Sequence, residues 1–531
     1  MSHRSVLGRL PAQATITALV AFGIFAATLP YELVWDDNSL LAWVTNQESL
    51  GALLRAEFQM KPDEHMGYYR PVVLLSLWVD SRLGEVIPWA FHLTNVLLHT
   101  AVSILVLVFL RGLMGGSVFA LGGALLFAVH PVHTEAVAFV SGRTDLWATL
   151  FVLIAAILWA RARAAGPGKF RVAYIGSLVA FLAGVLSKEV SLMLPATLLA
   201  ADASLPKITN GWWRRNGRWV AGWAAVVALA AFLRWGVADV SFGLGAGGEY
   251  DRMIALVSQP ALIPQAVILY LRLLVIPWPL NAYYAVGDLG IGWISLLAAA
   301  ALVATCLVLA RGRDRWHGLV PLAWVLLFLV PVLGLVRISS APVAERFLYL
   351  PSVGVALLVA AVVERGSRRL TQMTALWLAV ATVGIVFGAA TVARAPIWRD
   401  GTALFADLAH TSPAYVAKGH SNMGFRLHQL GRYEEALGFF DKALALQPES
   451  PEILTNMGTS LLALDRITEA EEVYRRAIAV RADSPEAHFG LGVALLREGR
   501  LREAAEEVRY LDDLSPQFAA ALRQQIGVLS R

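Results

Sequence analysis

Charge is scarce in this chain of 531 residues: 16% are Asp, Glu, Lys or Arg, where a soluble domain carries about 25%. That deficit, with 57% hydrophobic residues, a mean hydropathy of +0.60 and long near-chargeless apolar runs, excludes an ordinary soluble protein and implies a polytopic membrane protein. Cysteine is all but absent. Cys306 stands alone inside an apolar run, so neither an intrachain disulfide nor a thiolate metal site can form. Lysine is also rare, 6 residues against 38 arginines, while Ala and Gly abound; this composition hints at a GC-rich bacterial genome. The net charge of +5 and pI near 9.3 do not point to nucleic acid, because the basic residues sit in short loops between apolar segments, as the positive-inside rule requires. The apolar run Ala12 to Pro30 lacks a small-x-small cleavage site and is long for a signal peptide. It reads as the first transmembrane helix.

What is there follows from parity. Arg4 and Arg9 precede the first span, which places the N-terminus in the cytoplasm. Residues 31–91 form a long extracytoplasmic loop with amphipathic pieces (Leu40, Leu41, Val44; Leu50, Leu53, Leu54, Phe58) expected to lie along the membrane surface. A span at 92–110 carries His92, Asn95 and His99 on one helical face. Residues 118–161 have basic residues at both ends and must cross twice, so the tip from His130, His133 and Glu135 to Arg143 and Asp145 faces outside. Two apolar pieces of about 15 residues flank Ser187-Lys188-Glu189; each reaches only about 22 Å, as broken helices lining a cavity do. Further spans are expected at 219–235, 292–310, 318–335, 347–363 and 373–391. An external loop with Asp239, Glu249, Asp251 and Arg252 precedes a re-entrant segment at 253–279, and Arg337 to Arg346 lies outside. Basic loops at 161–171, 207–218, 311–315 and 365–369 lie inside. The sum is an all-α polytopic bundle of about 11 transmembrane helices over residues 1–395, with the C-terminal part outside.

From residue 396 to 531 the composition is that of a soluble domain and a 34-residue period appears. Gly424, Gly458 and Gly492 recur in register, as do Ala436, Ala470 and Ala504. Phe440 and Tyr474 fill the large position, Ala443 and Ala477 the small one after it. Small residues let paired helices approach and the aromatic ring fills the gap, which is the tetratricopeptide (TPR) pattern. The expected repeats are 417–450, 451–484 and 485–518, with a degenerate helix in 397–416 before them and a capping helix at 515–529.

Four polar tips share one side: Asp36 and Asp37; His130 to Asp145; Lys188 and Glu189; Glu345 and Arg346. Each has a bland reading. Asp36-Asp37-Asn38 before an apolar run can be a helix N-cap. Lys188-Glu189 can be a structural ion pair, and Arg346 an interfacial snorkel. His130-x-x-His133-x-Glu135 is a poor match to the helical zinc pattern, and no metal is expected. Their common placement argues for one site. Carboxylates beside cations at a membrane boundary suit a reaction on a lipid-linked phosphate: cations hold the phosphate, and a carboxylate takes the acceptor's proton.

Val34-Trp-Asp-Asp, Tyr69-Arg70-Pro71, Phe91-His92-Leu-Thr-Asn95-Val-Leu-Leu-His99, His130-Pro-Val-His133-Thr-Glu135, Gly142-Arg143-Thr-Asp145-Leu, Lys188-Glu189, Ala344-Glu345-Arg346-Phe-Leu-Tyr349-Leu-Pro351-Ser and Trp398-Arg399-Asp400 resemble, in order and over nearly the whole chain, the transmembrane and TPR-containing (TMTC) proteins. Those resemble the protein O-mannosyltransferases and other GT-C glycosyltransferases. The resemblance implies a polyprenyl- or dolichyl-phosphate sugar as donor, Asp36 as catalytic base with Asp37 assisting, and donor contacts from Arg70, His92, Asn95, His99, His130, His133, Glu135, Arg143, Asp145, Lys188, Glu189, Glu345 and Arg346. The chain departs from the O-mannosyltransferases in having Asp-Asp where they have Asp-Glu, and it has fewer TPRs than many TMTC relatives.

Three functional readings follow. The first is an inverting transferase moving mannose or another hexose from a polyprenyl-phosphate donor to Ser or Thr hydroxyls of an exported polypeptide held in the TPR groove, in a bacterial inner membrane, with no metal cofactor. The second is an inactive membrane-anchored TPR scaffold. The third, a transporter, expects inverted repeats with paired broken helices, and the two halves show no such symmetry. A glycosidase would need two carboxyls flanking the sugar about 5–9 Å apart, which adjacent residues do not easily supply.

Overall fold

The computed structural model describes residues 10–47, 49–58, 68–83, 87–114, 118–164, 167–204, 212–238, 262–284, 291–311, 315–333, 343–366, 370–411 and 416–529. The expected loop with Asp239, Glu249, Asp251 and Arg252, the start of the expected re-entrant segment, and Lys207, Arg313, Arg337, Arg368 and Arg369 lie outside the described residues. The chain divides into two compact units, 1–400 and 401–531.

The first unit is helical. Its elements are α1 (Leu10–Phe25), α2 (Asp37–Thr45), α3 (Leu50–Arg55), α4 (Pro71–Arg82), α5 (Pro88–Leu113), α6 (Phe119–Ala128), α7 (Thr134–Ala138), α8 (Arg143–Ala164), α9 (Pro167–Val185), α10 (Leu194–Ser204), α11 (Trp212–Phe232), α12 (Leu262–Val275), α13 (Trp293–Leu309), α14 (Trp316–Leu329), α15 (Ser352–Gly366) and α16 (Leu370–Arg394). Among the described residues, 6 helical stretches are long and apolar enough to span a bilayer, and shorter apolar helices accompany them. The protein is a membrane protein. Two clusters of buried side chains hold the bundle: one centred on α5, α6, α8 and α15, the other on α12, α13, α14 and the segment 343–348.

The two ends of this bundle differ in chemistry. At one end, arginines close helix termini, whose last carbonyls have no partner inside the helix. Arg315 donates to Ala203 O and Ser204 O at the end of α10, and Arg365 to Leu309 O and Arg311 O at the end of α13. Arg163 binds Asp202 and Asn216, and Arg111 donates to Gln13. The opposite end carries the residues of the four tips.

The amphipathic pieces of the segment 31–91 turn apolar side chains onto protein. Leu40, Leu41, Val44, Leu53 and Phe58 close a small core with Tyr68, Val73, Leu74, Leu77, Phe91 and Val140. Burying one such side chain is worth about 1.5–3 kcal/mol, so a fully apolar stripe packs on protein when protein is within reach. Leu50 and Leu54 alone of the predicted stripe stay exposed.

The second unit is an α-solenoid of helix pairs: α17 (Gly401–Thr411), α18 (Val416–Gln429) with α19 (Tyr433–Leu446), α20 (Pro451–Ala463) with α21 (Ile467–Val480), α22 (Pro485–Arg497) with α23 (Leu501–Leu514), and α24 (Pro516–Leu529). The period was legible because it is a packing rule. A Cβ on Gly424 would meet the Phe440 ring at 2.7 Å, and one on Gly458 the Tyr474 ring at 2.7 Å. In the third repeat Val508 occupies the aromatic position, and Leu522 of α24 lies against Gly492 instead.

Candidate functional site

The site is built around the turn 139–142 that leads into α8. Asp37, in the first turn of α2, is fully buried and reaches across to it. Its Oδ1 accepts from Ser141 N at 2.8 Å and Ser141 Oγ at 2.6 Å; its Oδ2 accepts from Val140 N at 3.3 Å and from Val34 N at 3.4 Å. Burial pushes the Asp37 carboxyl up to about 7, against the pull of these donors. Asp37 is thus a tie between segments.

Asp36 differs. It occupies the N-cap position of α2 with αR backbone and makes no capping hydrogen bond, so the plain helix-cap reading of the pair is not what the carboxylate does. It is half-buried. The residue before it, Trp35, has φ 53°, in the left-handed region that a bulky residue rarely adopts. The Trp35 ring lies against Phe139 and Tyr283. Asp36 acts electrostatically on Arg346: burial alone would lower the Arg346 pKa, and Glu135, Asp145 and Asp36 together raise it instead.

Arg143 is completely buried and occupied by the protein. It donates to Asp80 Oδ2 at 2.6 Å, Ser76 Oγ at 3.0 Å, Asn95 Oδ1 at 3.0 Å and Phe91 O at 2.9 Å. The Asn95 amide in turn donates to Phe139 O at 3.1 Å and Val137 O at 3.2 Å. Arg143 and Asn95 therefore brace the turn that Asp37 grips.

The other cations line up beyond it. Lys188 Nζ lies 2.7 and 2.6 Å from the two oxygens of Asp145 and over the Phe347 ring. Burial pulls its pKa down to about 8; Asp145 opposes this, while Arg70 and Arg346 add to it. Arg346 binds Glu135 through both its backbone N–H and its guanidinium. Arg70, stacked over the Tyr68 ring, holds Glu189 Oε2 at 2.9 Å. Glu345 is buried with Tyr284 O–H donating to it at 3.0 Å and Arg394 at 3.9 Å; burial, only partly offset by Arg394, pushes its carboxyl up to about 8.

The histidines are elsewhere. His99 bridges Tyr349 O–H at 2.8 Å and Ala128 O at 3.0 Å, His133 meets Ser352 Oγ at 2.9 Å, and His130 meets Leu274 O at 3.2 Å. His92 is nearer the site, 3.4 Å from Glu32 O. They knit α5, α6, α12 and α15 together. Among the described residues no group of three or more His, Cys, Asp or Glu side chains is arranged to hold a metal.

Comparison with known proteins gives the chain its relatives. Tetratricopeptide repeat family models match residues 415–483 and 455–517. The Mus musculus protein O-mannosyl-transferase TMTC2 is 33% identical over 152 residues, 27% of this chain and 18% of that protein. The Homo sapiens protein O-mannosyl-transferase TMTC4 is 26% identical over 495 residues, which is 80% of this chain and 65% of that protein. The Caenorhabditis elegans protein O-mannosyl-transferase F38B6.6 is 28% identical over 396 residues, 72% of this chain and 54% of that protein. The chain is TMTC-like. It spans under two thirds of the length of these three relatives.

In this TMTC-like chain several residues that position the site had no motif to announce them. Asp80 is one acid on an otherwise apolar face of α4, and Ser76 lies one helical turn before it. Ser141 and Tyr284 contribute a single hydroxyl each. Arg234 was hidden in an apolar span. It sits in a π-helical turn (233–237) that follows α11.

Proposed function

We propose that this protein is a membrane glycosyltransferase that moves a hexose, mannose by the relatives' names, from a polyprenyl-phosphate donor to Ser or Thr hydroxyls of an exported polypeptide. The reading places the N-terminus in the cytoplasm of a bacterial cell, the tips and the repeats outside. The observation that carries it is the split between two neighbouring acids. Asp37 is consumed by four protein donors, while Asp36 is half-buried and its charge acts on Arg346. Asp36 takes the proton from the acceptor hydroxyl, the acceptor oxygen attacks the anomeric carbon, and the bond from that carbon to the phosphate oxygen breaks with inversion. The leaving polyprenyl phosphate keeps both electrons of that bond and is stable at neutral pH, so no general acid is required. Arg346 and Lys188 stand on the phosphate side of this scheme. Arg143, expected among the donor contacts, acts in this scheme as a positioning residue, since it donates four hydrogen bonds to protein acceptors. The TPR unit recruits the acceptor chain in its concave groove.

The Asp36→Asn variant tests this. The amide keeps the size of the side chain and cannot accept the proton, so purified variant protein is expected to fold and bind donor while sugar transfer falls by at least about 100-fold. Near-normal transfer by Asp36→Asn overturns Asp36 as the base, and absence of transfer by the wild-type protein favours the alternative, an inactive TPR scaffold.

A further inference from the structure

Glu189 presents an unusual pair of contacts. Its Oε2 is 2.9 Å from Arg70 Nη2, and its Oε1 is 3.9 Å from Arg234 Nη1, too long for a hydrogen bond. Oε1 is buried and meets no hydrogen-bond donor among the described residues. One carboxylate therefore lies between two guanidinium groups and hydrogen-bonds only one of them. Arg70 comes from the start of α4, Glu189 from the break between α9 and α10, and Arg234 from the π turn after α11. A π turn inserts an extra residue into a helical ladder and often marks a functional position; here it carries the arginine that Glu189 faces at 3.9 Å. Lys188 lies close enough that Arg70 and Arg346 both act on its charge, so this pair adjoins the cations of the candidate site. Glu57 also acts on Arg234.

A tetrahedral phosphate fits this arrangement better than a carboxylate does. Its oxygens point to the corners of a tetrahedron rather than lying in one plane, so guanidinium groups from two different elements can each donate to it. We infer that Arg70 and Arg234 form the anion clamp for the donor's phosphate, and that Glu189 occupies the clamp until the phosphate displaces it. This rests on the lipid-phosphate reading above and adds to it a residue, Arg234, and an exchange. Glu189 keeps the two arginines apart and neutralised in the empty site. It also competes with the donor, which sets the sign of its effect: removing its charge tightens binding.

The test uses the full-length protein in phosphatidylcholine nanodiscs, titrated with nanodisc-borne undecaprenyl phosphate and, separately, with inorganic phosphate. Arg234→Ala and Arg70→Ala are each expected to weaken undecaprenyl phosphate binding by about tenfold, the loss of roughly one charge-assisted contact. Arg234→Lys keeps the charge without the fork and is expected to fall between. Glu189→Gln is expected to tighten binding by about threefold or more, a gain that a damaged fold cannot produce. Wild-type protein is expected to bind the lipid at least about tenfold more tightly than inorganic phosphate; equal binding would make the clamp a site for free anions. Unchanged or weaker binding in Glu189→Gln, or unchanged binding in Arg234→Ala, overturns the exchange while leaving the lipid-donor reading in place. Wild-type protein that ignores undecaprenyl phosphate overturns both.

Discussion

The two units contain ion pairs of nearly the same length and opposite meaning. In the membrane unit, Arg143 and Asp80 meet at 2.6 Å with side chains 0% and 6% exposed. In the repeat unit, Arg432 and Glu435 meet at 2.7 Å with side chains 52% and 56% exposed. Distance does not rank them; burial does. In water, the Coulomb attraction is screened and nearly cancelled by the entropy of holding two long side chains. In the interior, both charges have lost their hydration, and each is tolerable only because the other is present. Buried pairs are therefore brittle and position-defining, while the exposed pairs Arg432–Glu435 and Arg466–Glu469 decorate a solenoid that its glycine–aromatic packing already holds.

The comparison breaks most sharply at Arg143. Arg143→Leu leaves Asp80 buried and Asn95 without its donor, and is expected to destabilise the membrane unit by about 3–5 kcal/mol, read as unfolding in detergent. The double variant Arg143→Leu/Asp80→Leu is expected to lose less than Arg143→Leu alone, because no charge is stranded. Additive losses would show that the pair is not what makes the position brittle.

A smaller effect concerns Asp37, whose folded-state pKa of about 7 lies above the ordinary carboxylate value of 3.8. The folded protein holds a proton there that the unfolded chain has already released, so stability from this group is complete below about pH 4 and is lost as pH rises through about 7. Asp37→Asn removes that titration. The stability of wild type relative to Asp37→Asn is expected to decline across this window by on the order of 1–4 kcal/mol, and a pH-independent difference would mean that Asp37 folds in its charged form. The smallest expected effect is at Arg432. Arg432→Ala is expected to leave the melting midpoint of the repeat unit unchanged within measurement error, and a clear drop would say that the exposed pairs do more than decorate.

How much of this was legible depended on whether the information is local. The apolar runs and the glycine at 424, 458 and 492 state periodic rules, and a helix or a repeat follows from them. The tips were readable as chemistry because charge in an apolar chain is conspicuous. What could not be read was which charge meets which. Arg70 and Glu189 are 119 residues apart, and Arg143 and Asp80 are 63 apart. Nothing in either neighbourhood names the partner. That is why Arg143 looked like a ligand for phosphate when its acceptors are protein. The amphipathic pieces at 40–58 leave their cover open for a related reason: an apolar stripe specifies that something covers it and does not name the partner, here Val73, Leu74, Leu77, Phe91 and Val140.

Trp35 has a consequence for anyone reshaping this protein. A left-handed backbone at a bulky residue holds roughly 1–3 kcal/mol of strain, and its wide ring, set against Phe139 and Tyr283, makes the turn hard to relax. The orientation of the neighbouring Asp36 is thus bought with the stability of a loop. Glycine at position 35 would release the stored tension and turn a cocked spring into a loose hinge, yielding a sturdier protein in which the carboxylate proposed as the base points nowhere in particular. Thermostability and the aim of the Asp36 carboxylate are set against each other at a single peptide unit, and selection for heat resistance alone would be expected to find that glycine.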